Sequence, residues 1–172
     1  MEPLIHFVIP FVALMLVGVK FKNALLLSLF ALAPDLDALF LIHRSFTHSI
    51  PFLLLAAAPL LFIIYRLNAK LLRYGFIALL SMLSHVVLDL PAGYTPILWP
   101  LYNYSIWFQG DLFAHIGSAP TLSLNLHILT EPITFRYLGS LDAPLFTGSG
   151  LILALTILTP FFVKIIVQSF RS

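Results

Sequence analysis

Long apolar runs separated by short charged clusters constrain this sequence more than any other feature. The runs cover residues 4–19, 23–42, 50–65, 74–90 and 151–168. Each approaches the roughly 17–25 residues that an apolar α-helix needs to cross a bilayer. Only 9% of the residues are charged, against about 25% in soluble domains, so a water-exposed globule would lack polar surface. The sequence therefore predicts an all-α, polytopic membrane protein with about five transmembrane spans.

The stretch between the fourth and fifth runs, residues 91–150, has a different character. It stays apolar and contains both tryptophans, Trp99 and Trp107, but prolines and glycines interrupt it repeatedly. Because tryptophan favours the headgroup level of a membrane, we expect a long interfacial segment between spans four and five. No internal repeat or low-complexity tract divides the chain, so residues 1–172 are interpreted as a single domain.

Basic residues mark one side of the predicted helical bundle. Seven of the nine lysines and arginines form three clusters: Lys20 and Lys22; Arg66, Lys70 and Arg73; Lys164 and Arg171. Because cytoplasmic loops collect Lys and Arg, five spans with the N-terminus outside would place all three clusters in the cytoplasm. We therefore expect an integral protein of the inner or plasma membrane. Topology also explains the formal charge of +2 without a nucleic-acid partner.

Histidines and carboxylates gather toward the opposite ends of the runs. At about 1.5 Å of helix per residue, His6, Asp35, His48, His85 and Asp89 lie roughly 18–27 Å from the basic borders of their own runs. Ionisable groups are costly at this depth and normally face a partner or a wet cavity. His85 and Asp89, at the i and i+4 positions, share one helix face. The sequence thus predicts a polar cluster near the outer face, with Thr47 or Ser49 capping the helix that His48 opens.

This set of residues suits a divalent metal ion. Imidazoles and carboxylates, in a chain without cysteine, are the ligands that Zn²⁺ and similar ions accept. Such an ion makes water acidic enough to attack at neutral pH and polarises a carbonyl or phosphoryl oxygen. The sequence has no serine or cysteine nucleophile elbow, Walker loop or dinucleotide fingerprint. A metal-dependent hydrolase is the leading interpretation.

Four short motifs together resemble a known family. They are Pro34-Asp-Leu-Asp37, His43-Arg-Ser-Phe-Thr-His-Ser49, Ser84-His-Val-Val-Leu-Asp89 and Leu98-Trp-Pro100. With His6 they are similar to the YdjM-type family of membrane-bound metal-dependent hydrolases, also described as LexA-binding and inner-membrane-associated. The resemblance covers about residues 1–101. It implies hydrolysis without a defined substrate.

A more distant resemblance concerns the order of metal ligands. Zinc-dependent phospholipase C and P1-type nucleases bind up to three zinc ions through His, Asp, His, His-x-x-x-Asp, His and His-x-x-x-Glu. In that order this chain offers His6, Asp35 or Asp37, His43 or His48, His85 with Asp89, His115, and His127 with Glu131. The N-terminal tryptophan ligand of those enzymes is missing, and Pro132 disfavours helix at Glu131. The resemblance implies phosphodiester cleavage with one to three Zn²⁺ ions.

The predicted site combines these arguments. We expect the metal ligands to come from His6, Asp35, Asp37, His43, His48, His85, Asp89, His127 and Glu131. Asp37 is expected to act as general base, and Arg44 to hold an anionic phosphate. The expected substrate is a phospholipid or a lipid-linked phosphate, because the predicted site opens beside the headgroups.

Other interpretations remain open. His85 and Asp89 can form an interhelical hydrogen bond that only orders the bundle, and Arg44 can anchor at the headgroups. The same ligands would serve a hydrolase of amide or acyl-ester bonds. A non-enzymatic metal-binding or transport protein is another alternative, although transport favours polar residues along a whole pathway. A membrane-anchored interaction protein is disfavoured because the cytoplasmic loops are short.

Overall fold

The computed structural model describes residues 2–117, 120–135, 137–140, 144 and 146–169. Arg171, from the third basic cluster, lies outside the described residues, as does the side chain of Lys164. The α-helices are α1 (Pro3–Leu16), α2 (Phe21–Ser28), α3 (Ile50–Asn68), α4 (Leu72–Asp89) and α5 (Gly148–Ser169). Short 3₁₀ helices cover Leu29–Leu32, Pro34–Phe40, Phe46–His48, Ala69–Leu71 and Leu90–Ala92. Two strands, β1 (Tyr104–His115) and β2 (Thr121–Pro132), complete the described chain.

This architecture mixes helix and sheet, and the prediction of an all-α bundle with five spans is wrong. Within the described residues, one helical segment, Ile50–Ala92, which contains α3 and α4, is long and apolar enough to cross a membrane. A second candidate exists only if Phe21–Leu32 and Pro34–Phe40, which are bent by 48°, count as one span. The apolar helix Pro3–Leu16 has 14 residues, fewer than a span requires. Gly148–Val163, the part of α5 whose side chains the structure describes, is also apolar.

In the first two apolar runs, the α-helices end earlier than the apolar sequence does. α1 ends just before Gly18, whose φ of 83° is left-handed and suits glycine because it lacks a Cβ. α2 tightens into a 3₁₀ helix after Ser28, and a new 3₁₀ helix begins at Pro34. Proline has no N–H for a continuing helix. Apolar length alone therefore overestimates the length of both helices.

α3 and α4 form an antiparallel helical hairpin. Leu53, near the start of α3, is buried in one cluster with Leu79 and Val86 in the second half of α4. Toward the turn, Gly75 of α4 lies against the side chain of Leu61, where a small residue lets two helices approach closely. The hairpin therefore brings the start of α3 beside the end of α4, and the candidate site lies there.

The predicted interfacial segment contains a two-stranded antiparallel ribbon. β1 pairs with β2 along all 12 residues of each strand. Reciprocal backbone hydrogen bonds of 2.9 Å between Thr95 and Ile106 join the ribbon to the chain that leaves α4. A period of two is the signal of a strand, and β2 shows it in four apolar residues that alternate with polar ones: Leu122, Leu124, Leu126 and Ile128.

Candidate metal centre

Segments that are distant in the sequence bring polar side chains together beside the end of the α3–α4 hairpin. α1 packs against α4 and contributes the first of them. The cluster combines side chains from five segments: His6 from α1, Asp35 and Asp37 from the 3₁₀ helix Pro34–Phe40, His43 and Arg44 from the next loop, His48 from the 3₁₀ helix Phe46–His48, and His85 and Asp89 from α4. His48, His85 and Asp89 are 0% exposed. Ionisable groups at this depth are rare unless they are paired or bind a metal.

Four residues, Asp35, His48, His85 and Asp89, form the central quartet of this cluster. His48 Nε2 lies 3.4 Å from Asp35 Oδ1, 3.2 Å from His85 Nε2 and 3.5 Å from Asp89 Oδ2. His85 Nε2 lies 3.5 Å from Asp35 Oδ1 and 3.8 Å from Asp89 Oδ2. Zinc–ligand bonds of about 2.0–2.2 Å in a tetrahedron separate neighbouring ligand atoms by about 3.3–3.6 Å. These five separations, of 3.2–3.8 Å, are close to those edges.

The carboxylate oxygens of the quartet lack hydrogen-bond donors of normal geometry. Asp35 Oδ1, Asp89 Oδ1 and Asp89 Oδ2 are buried without a hydrogen bond, although imidazole nitrogens lie 3.2–3.5 Å away. A buried acceptor without a partner costs about 1–3 kcal/mol, and more when it is charged. These oxygens therefore approach a common space without hydrogen bonds, while the Nε2 atoms of His48 and His85 pair with each other. This arrangement fits a divalent cation.

Two further histidines flank the quartet. His6 Nε2 lies 3.2 Å from Asp89 Oδ1, and His43 Nδ1 lies 3.9 Å from Asp35 Oδ1 and from Asp37 Oδ1. Ligand atoms of His6, His85 and Asp89 all lie within 4.8 Å of one another, as do those of Asp35, Asp37, His43 and His48. The cluster thus offers enough ligands for more than one ion.

Asp37 supports His48 from the side away from the quartet. Its Oδ2 accepts hydrogen bonds from Ser45 N–H at 2.8 Å and from Thr47 Oγ1 at 3.1 Å, and lies 3.3 Å from His48 Nδ1. A carboxylate beside the far nitrogen of an imidazole orients the ring and makes the other nitrogen a better ligand. Asp37 Oδ1 is buried without a hydrogen-bond partner. The support from Ser45 comes through its backbone, which no residue type in the sequence could reveal.

Neighbouring carboxylates raise the pKa of His48. Burial alone would lower the pKa of His48, but the carboxylates of Asp35 and Asp37, together with the charge of Asp89, raise it to about 9. The imidazolium cation therefore neutralises part of the carboxylate charge at neutral pH. A metal ion needs the neutral ring, so the proton and the metal compete for the same carboxylates.

Arg44 closes one side of the cluster. Its Nε lies 3.6 Å from Asp89 Oδ2, and its Nη1 donates to the carbonyl oxygen of Tyr94 at 3.3 Å. The backbone of Arg44 is left-handed, with φ of 55°. A Cβ at Gly93 would collide with Arg44 Nη1, so glycine makes room for the guanidinium. The predicted role of Arg44 in holding phosphate stays a prediction.

A comparison with known proteins shows the family. The model of the family described as YdjM inner membrane protein matches residues 1–168. The chain belongs to this family. No curated protein and no solved structure matches it. The predicted family and membrane association are confirmed, whereas the resemblance to zinc-dependent phospholipase C and P1-type nucleases gains no support from these comparisons.

Not every predicted ligand of this YdjM family member reaches the cluster. His115, His127 and Glu131 lie on the ribbon and are exposed. Within the described chain, none of them belongs to a group of residues that could share a metal ion. The pairing of His127 with Glu131 assumed helical spacing, but four residues of a strand span about 13 Å. That distance is too long for both side chains to hold one ion.

Proposed function

We propose that this protein is a membrane-embedded, metal-dependent hydrolase that uses Zn²⁺ and cleaves phosphoester bonds in a lipid or lipid-linked substrate. The observation that carries the proposal is the central quartet, in which five separations between ligand atoms are close to tetrahedral edges and the buried carboxylate oxygens have no hydrogen-bond partner. Two imidazoles and two carboxylates form a donor set that zinc accepts. A bound zinc ion supplies Lewis acidity toward a phosphoryl oxygen and lowers the pKa of water.

The residues of the chain have separate roles in this proposal. The central quartet would hold the first ion, and His6 and His43 would be available for further ions. Asp37 would keep His48 in place through Oδ2. Its second oxygen, Oδ1, is buried without a partner and would take the proton from the attacking water as general base.

The open side of the cluster indicates where the substrate would approach. The side chains of His43, Asp35 and Arg44 are 27%, 18% and 17% exposed, whereas those of His48, His85 and Asp89 are closed at 0%. A substrate phosphate would therefore meet the guanidinium of Arg44 at the entrance, and a planar guanidinium suits phosphate oxygens. We further propose that this entrance faces the outer side of the membrane with the N-terminus outside, since basic residues collect at the opposite end of α4.

Metal content is the decisive measurement. Purified wild-type protein is expected to hold at least one zinc ion per chain, and the His85→Ala and Asp89→Ala variants are expected to lose it. His127→Ala is the matched control, because it removes an exposed histidine on the ribbon and should leave the zinc content unchanged. A wild-type protein that holds no metal, even after reconstitution, would contradict the proposal.

The reaction class needs a second measurement. Zinc-loaded protein in lipid micelles is expected to release phosphate or a phosphomonoester from phospholipid, to lose this activity with a chelator, and to regain it with zinc. Hydrolysis of amide or acyl-ester substrates instead would keep the metal site and overturn the phosphoester assignment. Stoichiometric zinc without hydrolysis of any of these substrates would support a non-enzymatic metal-binding protein.

A further inference from the structure

A polar pocket lies at the end of α4 that is distant from the metal centre. Its volume is about 390 Å³, and it opens between the connection from α1 to α2 and the first turns of α4. The polar side chains of its wall come from Lys20, Asn23, Arg73 and Tyr74. Arg73 precedes His85 by 12 residues, or about 18 Å along the helix. A ligand in this pocket therefore lies out of reach of the metal cluster.

The pocket presents positive charge in a fixed geometry. Arg73 Nη2 donates to Tyr74 Oη at 2.6 Å, and the guanidinium carbon lies 4.6 Å from the centre of the Tyr74 ring. Asn23 Nδ2 donates to the same oxygen at 3.3 Å. In the described part of the chain, the one Lys or Arg side chain within ion-pairing distance of a carboxylate is Arg44. Lys20 and Arg73 thus face the pocket without an acidic partner there, and a guanidinium keeps several N–H donors for an anion.

An apolar groove lies beside this pocket. Tyr74 lines both, and the groove has a volume of about 350 Å³. α3, α4 and the segment around Phe30 form its walls, with Leu27, Ala57, Leu61 and Leu79 among the lining residues. Among the described residues, those that line it carry no charge. Along α4 it extends from Leu71 to Met82, about 16 Å, which matches half of a hydrocarbon core about 30 Å thick.

We propose that the pocket and the groove together bind one anionic phospholipid. Its phosphate would lie between Lys20 and Arg73, with the hydroxyl of Tyr74 beside it, and one acyl chain would fill the groove. Basic pockets between helices on the cytoplasmic side of membrane proteins suit lipid phosphates. A free phosphate would use only the polar pocket, so a neighbouring apolar groove that shares Tyr74 with it favours a lipid. Because the headgroup lies at the opposite end of α4 from the metal centre, this lipid is a ligand distinct from the hydrolysed substrate.

Lipid titration of the wild-type protein is the first test. The protein in detergent micelles is titrated with phosphatidylglycerol, phosphatidylcholine, glycerophosphoglycerol or inorganic phosphate, and binding is followed by native mass spectrometry and by thermal unfolding. Phosphatidylglycerol is expected to bind at one molecule per chain, at least ten-fold more tightly than phosphatidylcholine, and to raise the unfolding temperature. Equal affinity for the two lipids would overturn the proposal. Equal stabilisation by inorganic phosphate or glycerophosphoglycerol would show an anion site without an acyl chain, and would also overturn it.

Two double variants separate the pocket from the general surface charge. The variant Lys20→Gln/Arg73→Gln removes both pocket cations and should weaken phosphatidylglycerol binding at least ten-fold. The control Lys22→Gln/Arg66→Gln removes the same charge from exposed residues outside the pocket, and should bind like the wild type. Equal weakening in both variants would assign the preference to the basic surface as a whole. Shortening both acyl chains to six carbons should weaken binding by wild-type protein, and no change would remove the groove from the site.

Discussion

At the residue scale, Asp37 joins the loop Ser45–Thr47 to the central quartet. It contacts His48 Nδ1 while two donors of that loop hold the same oxygen. We expect Asp37→Asn to lower zinc affinity by about 10–100-fold, as loss of such a supporting carboxylate typically does, while saturating zinc still fills the site. Competition with a chromophoric chelator measures the affinity. Asp111→Asn, on β1, should leave it unchanged, whereas a lower zinc stoichiometry in Asp37→Asn would make Asp37 a ligand itself.

The proton on His48 gives a second prediction at this scale. Since the pKa of His48 is raised to about 9 in the metal-free protein, zinc must displace a proton at neutral pH. The apparent zinc affinity should therefore rise by about ten-fold per pH unit below that pKa and level off above it. Calorimetry at pH 7.5 in two buffers of different ionisation enthalpy should show release of about one proton per ion bound. Equal binding enthalpies in the two buffers would contradict a protonated His48.

Residue types and spacing predicted much of the cluster. The structure brings together the side chains of seven residues that were expected as ligands: His6, Asp35, Asp37, His43, His48, His85 and Asp89. The prediction rested on the cost of ionisable groups inside apolar runs, but its depths assumed unbroken helices, and the first two runs end early. The contact of Arg44 with Tyr94 O and Gly93 could not be predicted. Both depend on backbone conformation, which residue types indicate only weakly.

At the scale of the elements, the start of α3 holds His48 against α4. Of the two expected capping residues, Thr47 and Ser49, it is Ser49 that caps α3: its hydroxyl oxygen accepts a hydrogen bond from Phe52 N–H at 3.3 Å. The same hydroxyl donates to the carbonyl oxygen of Trp99. Ser49→Ala should lower the free energy of unfolding by about 0.5–2 kcal/mol, the usual cost of losing an N-cap. Denaturant unfolding in micelles measures this change. Ser84→Ala is the control, because its hydroxyl bonds only within α4, to Ser81 O, and an equal loss in both variants would exclude a specific capping effect.

The same scale shows where sequence patterns were sufficient and where they were not. The apolar runs 50–65 and 74–90 correspond closely to α3 and α4. The ribbon was missed because prolines and glycines between residues 91 and 150 suggested irregular chain. The period of two in β2 outweighs them, since Pro120 and Gly117 lie between the strands and Pro132 at the end of β2. Proline at such positions leaves the ladder of hydrogen bonds intact.

At the scale of the whole molecule, the two ends of α4 differ in chemistry. One end carries buried carboxylates and histidines, and the other carries the cationic pocket that includes Arg73. Apolar length predicted five spans, but the described residues supply one or two candidates, so orientation must come from charge and not from a count of spans. The positive-inside rule would place the pocket toward the cytoplasm and the entrance to the metal centre outside.

Cysteine labelling tests this orientation directly, because the sequence has no cysteine and a single introduced thiol gives no background. Lys70→Cys lies in the turn between α3 and α4, and Asn103→Cys lies just before β1, near the opposite end of α4; both positions are exposed. In intact spheroplasts, a membrane-impermeant maleimide should label Asn103→Cys and should reach Lys70→Cys only after permeabilisation. Zinc content like that of the wild type in both variants verifies that they are folded. The reversed labelling pattern would place the metal centre toward the cytoplasm. Labelling of both thiols in intact spheroplasts would mean that α4 does not separate the two sides of the membrane.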